Sequence, residues 1–167
     1  MKKKSIITIW LLLVIINYSG KAEVNFKAHL GISYIEHFST GITLSFSNKH
    51  NISLLYGSNF LIKPQEFSSF LIQYEMLLNK IKIGSITPKF GIKGGYSIYT
   101  NNYYQWELLA VVPFIGFNYP IKNKVSLALD MGVAVSRELS LKRISYGEIG
   151  GYKQFLPELK IGIFINL

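Results

Sequence analysis

From Val24 onward, apolar and polar residues take turns along the chain. Val24, Phe26, Ala28, Leu30, Ile32 and Tyr34 are apolar, and Asn25, Lys27, His29, Gly31 and Ser33 stand between them. Successive strand side chains point to opposite faces, so this segment predicts a strand with one greasy face and one polar or small face. On a helix the same apolar residues would be scattered around the circumference. The pattern recurs over Ile42–Phe46, Ile52–Tyr56, Phe70–Met76, Ile86–Ile98, Val111–Tyr119, Val125–Val135 and Leu159–Leu167, which makes eight strand candidates. Several reach the ~9–11 residues that a tilted strand needs to cross a bilayer. An even strand number, with first and last strands able to pair, fits a closed barrel.

The connections fall into two sets. Asn48–Asn51, Asn79–Ser85 and Pro120–Lys124 read as short polar turns, whereas the stretches near 35–41, 61–66, 99–107 and 136–155 read as longer loops. Short turns at one end and longer loops at the other are expected of an outer-membrane barrel, and a periplasmic N-terminus would place 136–155 outside. Pro88 and Pro157 fall near strand starts, where a missing N–H is tolerable. Pro113 lies deeper and predicts a lost ladder bond or a bulge near the start of the sixth strand.

Alternation also suits a soluble sandwich or lipocalin-like barrel with its greasy face inward. Two features favour lipid. The non-greasy face is rich in small residues, among them Gly31, Gly41, Gly57, Gly91, Gly95, Gly116, Gly132 and Gly162, where a solvated face would carry more Lys and Glu. Small residues instead suit the crowded interior of a narrow barrel. Aromatics also gather near strand ends: Tyr34, Tyr99, Tyr103, Tyr104, Trp106 and Phe155 at the loop end, and Phe46 and Tyr119 at the turn end. That predicts two interfacial girdles.

Composition narrows the picture further. Of 167 residues 49% are hydrophobic and 16% charged, and no run is apolar over the ~18 residues of a spanning helix. Aromatic content of 14% excludes a disordered chain. With no cysteine, disulfides, thiolate metal sites and a Cys nucleophile drop out. Residues 1–22 read as a secretory signal, with Lys2, Lys3 and Lys4, an apolar run from Ile6 to Ile16, and small residues in Gly20-Lys21-Ala22. The barrel domain is then 23–167. Removing Lys2, Lys3, Lys4 and Lys21 leaves 14 basic residues of the 18, against 9 acidic, a net charge of +5 without any Lys/Arg run. Nucleic acid is not an expected partner.

These residues resemble the small eight-stranded outer-membrane barrels, the OmpA/OmpX-like group, and among them the outer-membrane β-barrel domains of PorT-like type. The likeness is carried by Pro88-Lys89-Phe90-Gly91-Ile92-Lys93-Gly94-Gly95-Tyr96 and by the last strand, Glu158 to Leu167. It implies export to the bacterial outer membrane, contact with its lipid and lipopolysaccharide, and assembly by the outer-membrane insertion machinery through the C-terminal strand. That strand often ends in Phe in such families; here it ends in Leu167, with Phe164 on the other face.

The fold class expected is therefore all-β, an eight-stranded antiparallel up-and-down transmembrane barrel behind a signal peptide. Its inward positions hold Lys27, His29, Glu75, Lys89, Lys93, Asp130, Glu158 and Lys160. Charges of both signs in a low-dielectric interior should pair, which makes a polar plug the plain reading and an ion path or narrow solute channel the alternative. A lumenal lipid-modifying enzyme is a second alternative, because His29, Ser33, Glu36 and His37 lie near the loop end of the first strand. No nucleophile-elbow motif accompanies them. His50 stands in a turn without an evident partner, and three scattered histidines give no metal spacing, so no metal or cofactor is expected. In the 136–155 loop, Arg137, Glu138, Lys142, Arg143, Glu148 and Lys153 could meet a surface partner or lipopolysaccharide phosphates, or form an ordinary solvated loop.

Overall fold

The computed structural model describes residues 24–33, 37–47, 49–59, 66–145 and 155–167. The expected signal at 1–22 lies outside them. Eight strands follow one another: β1 (Val24–Ser33), β2 (His37–Phe46), β3 (His50–Ser58), β4 (Glu66–Leu77), β5 (Thr87–Thr100), β6 (Tyr104–Lys122), β7 (Val125–Arg143) and β8 (Phe155–Asn166). Each pairs antiparallel with its sequence neighbours, and β1 closes on β8 from Lys27↔Asn166 to Ser33↔Lys160. A rung followed from Ser33 through Lys160, Asp130, Gly116 and Lys89 to Leu77, and on around the circuit, returns to the line of β1 about ten residues from its start. For eight strands that stagger corresponds to a tilt of about 40° and an interior just wide enough for side chains.

The barrel is inside out relative to a soluble protein. Phe26 is 54% exposed, Ile42 57%, Ile72 60% and Ile161 51%, whereas Lys93 is 3% exposed and Lys160 2%. The alternation read from the sequence thus puts the greasy face on the exterior and the polar and small face in the lumen. Because the lumen is narrow, glycine is required wherever a large side chain crosses a neighbouring strand. A Cβ on Gly116 would stand 2.3 Å from Asp130 Oδ1 and 2.4 Å from the Leu129 carbonyl oxygen.

Several boundaries differ from those expected. The 99–107 loop shrinks to residues 101–103, because Asn101 Oδ1 accepts hydrogen bonds from the N–H groups of Tyr103 (2.9 Å) and Tyr104 (2.8 Å) and closes a tight turn. The 136–155 loop is strand as far as Arg143 and again at Phe155; 146–154 lies outside the described residues. Charges interrupt the apolar alternation there, yet 136–143 still pairs with β6, through a bulge at Glu107/Leu108. β2 likewise begins at His37, earlier than the 35–41 loop allowed. Pro113 sits in the middle of β6 rather than near its start, in register with Ile92. Toward β7 the ladder lapses at Val112 and Pro113 and resumes unshifted at Phe114↔Gly132, so the proline interrupts pairing without a bulge. His50 opens β3 rather than lying in a turn, and its Nδ1 shares a hydrogen bond of 2.8 Å with the Tyr74 hydroxyl. The loop-end girdle is corrected in part. Tyr103 and Phe155 are exposed as expected, but Tyr104 and Trp106 turn inward and are buried, their rings 5.5 Å apart.

Two glycines separate steric need from mere composition. Gly116→Ala should destabilise the barrel by about 1–3 kcal/mol through overpacking. Gly94→Ala should be nearly neutral, since its Cβ would meet nothing closer than 3.5 Å. Urea unfolding midpoints in detergent, followed by tryptophan fluorescence, measure both.

Candidate functional site: the lumenal ion-pair network

The strand register brings seven of the eight expected inward residues onto three rungs. One rung carries Lys160, Asp130, Gly116 and Lys89 on β8, β7, β6 and β5. A second carries Glu158, Gly132, Phe114, Gly91, Glu75, Asn51 and Ser45. A third carries Lys27, Thr43, Ser53, Gln73 and Lys93. Glycines alternate with bulk along the second rung: Gly91 and Gly132 flank Phe114, and a Cβ on Gly91 would lie 2.5 Å from the Phe114 ring. Gly116 does the same for the first rung, leaving room for Asp130 to reach across β6 to Lys89.

Lys89 is the hub. Its ammonium lies 2.7 Å from Glu75 Oε2 and 2.8 Å from Asp130 Oδ1, and its side chain has no exposed surface. The rings of Phe114 and Phe164 stand 5.7 and 5.5 Å from the same nitrogen, within cation–π range. Glu75 also accepts from Asn51 Nδ2 at 2.5 Å and from Gln73 Nε2 at 3.1 Å. Ser45 Oγ donates to Asn51 Oδ1 at 2.6 Å, extending the chain of donors to β2. Lys93 forms a close ion pair with Glu158 on the opposite side of the lumen. His29 is buried with its ring edge-on to Phe164 at 4.5 Å. Lys27 is only half-buried, at the turn-side mouth.

Of the eight inward residues named above, Glu75, Lys89 and Asp130 form one connected group, Lys93 and Glu158 a second, and Lys160 adjoins Asp130 on its rung. Buried Lys89, Lys93 and Lys160 balance buried Glu75, Asp130 and Glu158 in formal charge. A void among Lys93, Phe114, Asp130, Glu158 and Lys160 has room for roughly one water-sized sphere, ≈ 10 Å³. Toward the loops the filling changes character. Leu55, Phe67, Leu71, Tyr104, Trp106 and Val112 are buried and form an apolar and aromatic cap. Sequence reasoning assigned Tyr104 and Trp106 to the exterior because the phase of β6 could not be fixed across a misplaced boundary.

The histidine and serine set near the loop end does not assemble into a relay. His29 and Ser33 are four residues apart on one extended strand, roughly 13 Å. His37 pairs in register with Ser33, but its ring packs against Phe67 at 5.6 Å. Glu36 lies outside the described residues. Among the described residues no cluster of His, Asp and Glu could hold a metal.

A closed barrel with an apolar exterior and a charged, filled interior is the form in which a sheet spans a membrane. No family model and no curated protein matches the chain. Among solved structures, a major outer membrane protein from Thermus thermophilus is similar in fold, with a TM-score of 0.50 at 11% identity over 87% of this chain and 100% of that one. Neisserial surface protein A matches at a TM-score of 0.46 and 13% identity, over 87% of this chain and 96% of that one. Acinetobacter baumannii CarO matches at 0.40 and 10%, over 86% and 97%.

Removing the hub strands two carboxylates beside each other. Lys89→Met should cost about 3–5 kcal/mol. Adding Glu75→Gln and Asp130→Asn to the same chain should recover a large part of that loss, because the uncompensated charges leave with the lysine. Unfolding free energies of the single and triple variants check this; a Lys89→Met barrel as stable as wild type would show that the network contributes nothing.

Proposed function

We propose that the protein is an integral outer-membrane barrel whose task is structural and surface-directed rather than catalytic. The observation that carries this reading is the inverted burial, with isoleucine and phenylalanine outside and lysine, glutamate and aspartate inside. A hydrocarbon exterior embeds, the closed ladder satisfies the backbone in lipid, and the filled lumen makes the wall rigid. The ion-pair network acts as a plug rather than a path: its cations and anions are engaged with each other, and the aromatic cap lies above them. On this reading residues 1–22 direct export and β8 is presented to the insertion machinery. Kinship with OmpA/OmpX-like or PorT-like barrels fits the same architecture.

Surface interaction falls to the raised β6–β7 ribbon, the loop-end extension of these two paired strands. Arg137, Lys142 and Arg143 are exposed on its β7 arm, beyond the last β7–β8 pair at Val135↔Phe155. Guanidinium and ammonium groups at that height suit lipopolysaccharide phosphates or an acidic surface partner.

The chain should sediment with outer membranes and migrate differently on gels before and after boiling. Leu129→Arg, near the middle of the apolar band, should cost about 2–4 kcal/mol of folding free energy, while Leu139→Arg above the band should cost about 1 or less. In planar bilayers the wild-type barrel should give no steady ion conductance. Conductance altered by Lys93→Ala or Asp130→Ala would instead establish a channel, and a lipid A mass change dependent on His29 would establish an enzyme.

A further inference from the structure

The two ends of the barrel differ in charge. At the turn end Lys49, Lys80, Lys82, Lys122 and Lys124 are all exposed. The three turns that carry them, 47–49, 78–86 and 120–124, contain no Asp or Glu. The nearest acids on the same strands, Glu75 and Asp130, face the lumen and are engaged by Lys89. Glu23, just ahead of β1, lies outside the described residues. The loop end is mixed, with Glu66, Glu107 and Glu138 among Arg137, Lys142 and Arg143.

The lysines are interleaved with exposed apolar side chains. Lys80-Ile81-Lys82-Ile83 runs along one turn and Ile121 precedes Lys122 in another; Ile81 is 58% exposed, Ile83 65% and Ile121 51%. These turns are ordered by their own backbone. Ile83 and Ile86 exchange hydrogen bonds of 3.0 and 3.1 Å across Gly84-Ser85, with Gly84 at φ 62°. The Leu78 N–H donates to the Pro88 carbonyl at 2.8 Å, and the Asn166 N–H to the Lys124 carbonyl at 2.8 Å. Ammonium groups carried on backbone-ordered turns beside exposed isoleucines match one kind of surface: an anionic headgroup layer with hydrocarbon immediately beneath it.

We propose that the turn end of the barrel is a docking face for anionic glycerophospholipid headgroups, with Lys80, Lys82, Lys122 and Lys124 on the phosphates and Ile81, Ile83 and Ile121 in the acyl boundary. A polysaccharide or peptide wall polymer would have no use for the isoleucines, which is why lipid is favoured over peptidoglycan.

The test uses the whole barrel folded into vesicles of equimolar phosphatidylcholine and phosphatidylglycerol, extracted in mild detergent, with co-purifying lipid counted by mass spectrometry. Wild type should retain phosphatidylglycerol in several-fold preference, and the preference should fade in ~1 M salt, where screening is within about 3 Å. The variant Lys80→Gln/Lys82→Gln/Lys122→Gln/Lys124→Gln, shown to be folded by its gel shift, should lose at least about fivefold of that preference, the worth of a single surface lysine. Arg137→Gln/Lys142→Gln/Arg143→Gln at the other end should retain it. Equal retention of both lipids by wild type, survival of the preference in the four-lysine variant, or equal loss in the loop-end variant would overturn the proposal. So would lysine-dependent sedimentation with purified peptidoglycan in the absence of any lipid preference.

Discussion

The structure depends first on closure of the backbone ladder. Within hydrocarbon no water is present to satisfy a free N–H or C=O, so a sheet can span only if it has no edge. Pairing of β1 with β8, seven residues deep from Lys27↔Asn166 to Ser33↔Lys160, meets that condition. Everything else follows from closing eight strands and no more. The circumference is small, the tilt is steep, and the interior admits side chains but little besides. The exposed greasy residues, a liability for a water-soluble protein, are then the means of embedding.

That narrow interior explains why charge and glycine occur together on the inward face. A carboxylate in the lumen must meet a cation with little water to help it, and the partner need not stand on the adjacent strand. Asp130 reaches Lys89 across β6 because Gly116 leaves the space above that strand open. Phe114 fits between β5 and β7 because Gly91 and Gly132 stand on either side of it. Breaking such a pair is costly, whereas replacing the whole group by apolar residues need not be. The network is therefore best understood as fixing one arrangement of the lumen: the hub lysine is satisfied only when Glu75, Asp130, Phe114 and Phe164 all lie in their places.

The period-two alternation made most of the architecture legible in the sequence. Strand number and the division into two faces follow from it, while the choice of lipid for the greasy face needed the small residues of the other face as well. What it could not show was adjacency around the barrel. Glu75 and Lys89 are near in sequence, but Lys93 and Glu158 meet only through a register that no local pattern encodes. It also could not show strand length beyond the membrane. At Asn101-Asn102 two polar residues suggested a loop where an Asn side chain closes a turn, and at Arg137-Glu138 charge suggested a loop where the strand simply leaves lipid. Hydrophobic alternation reports an apolar environment on one face, not the presence of a strand, and in this barrel the two coincide only inside the bilayer.

The same distinction bears on how the barrel addresses its surroundings. β6 and β7 are 19 residues long. At ~3.3 Å per residue and ~40° of tilt they rise roughly 45–50 Å, against an apolar band about 25 Å tall. The surplus stands at the loop end, where 136–143 is tied to β6 alone. A paired ribbon forfeits little conformational entropy when it meets a partner, unlike a free loop of equal length. Arg137, Lys142 and Arg143 are thus held in position before any contact is made, much as the hydrogen-bonded turns at the other end hold their lysines. Both ends of the molecule set polar residues on rigid backbone, and the difference between them lies in sign: charges of both kinds on the raised ribbon, ammonium groups alone on the turns.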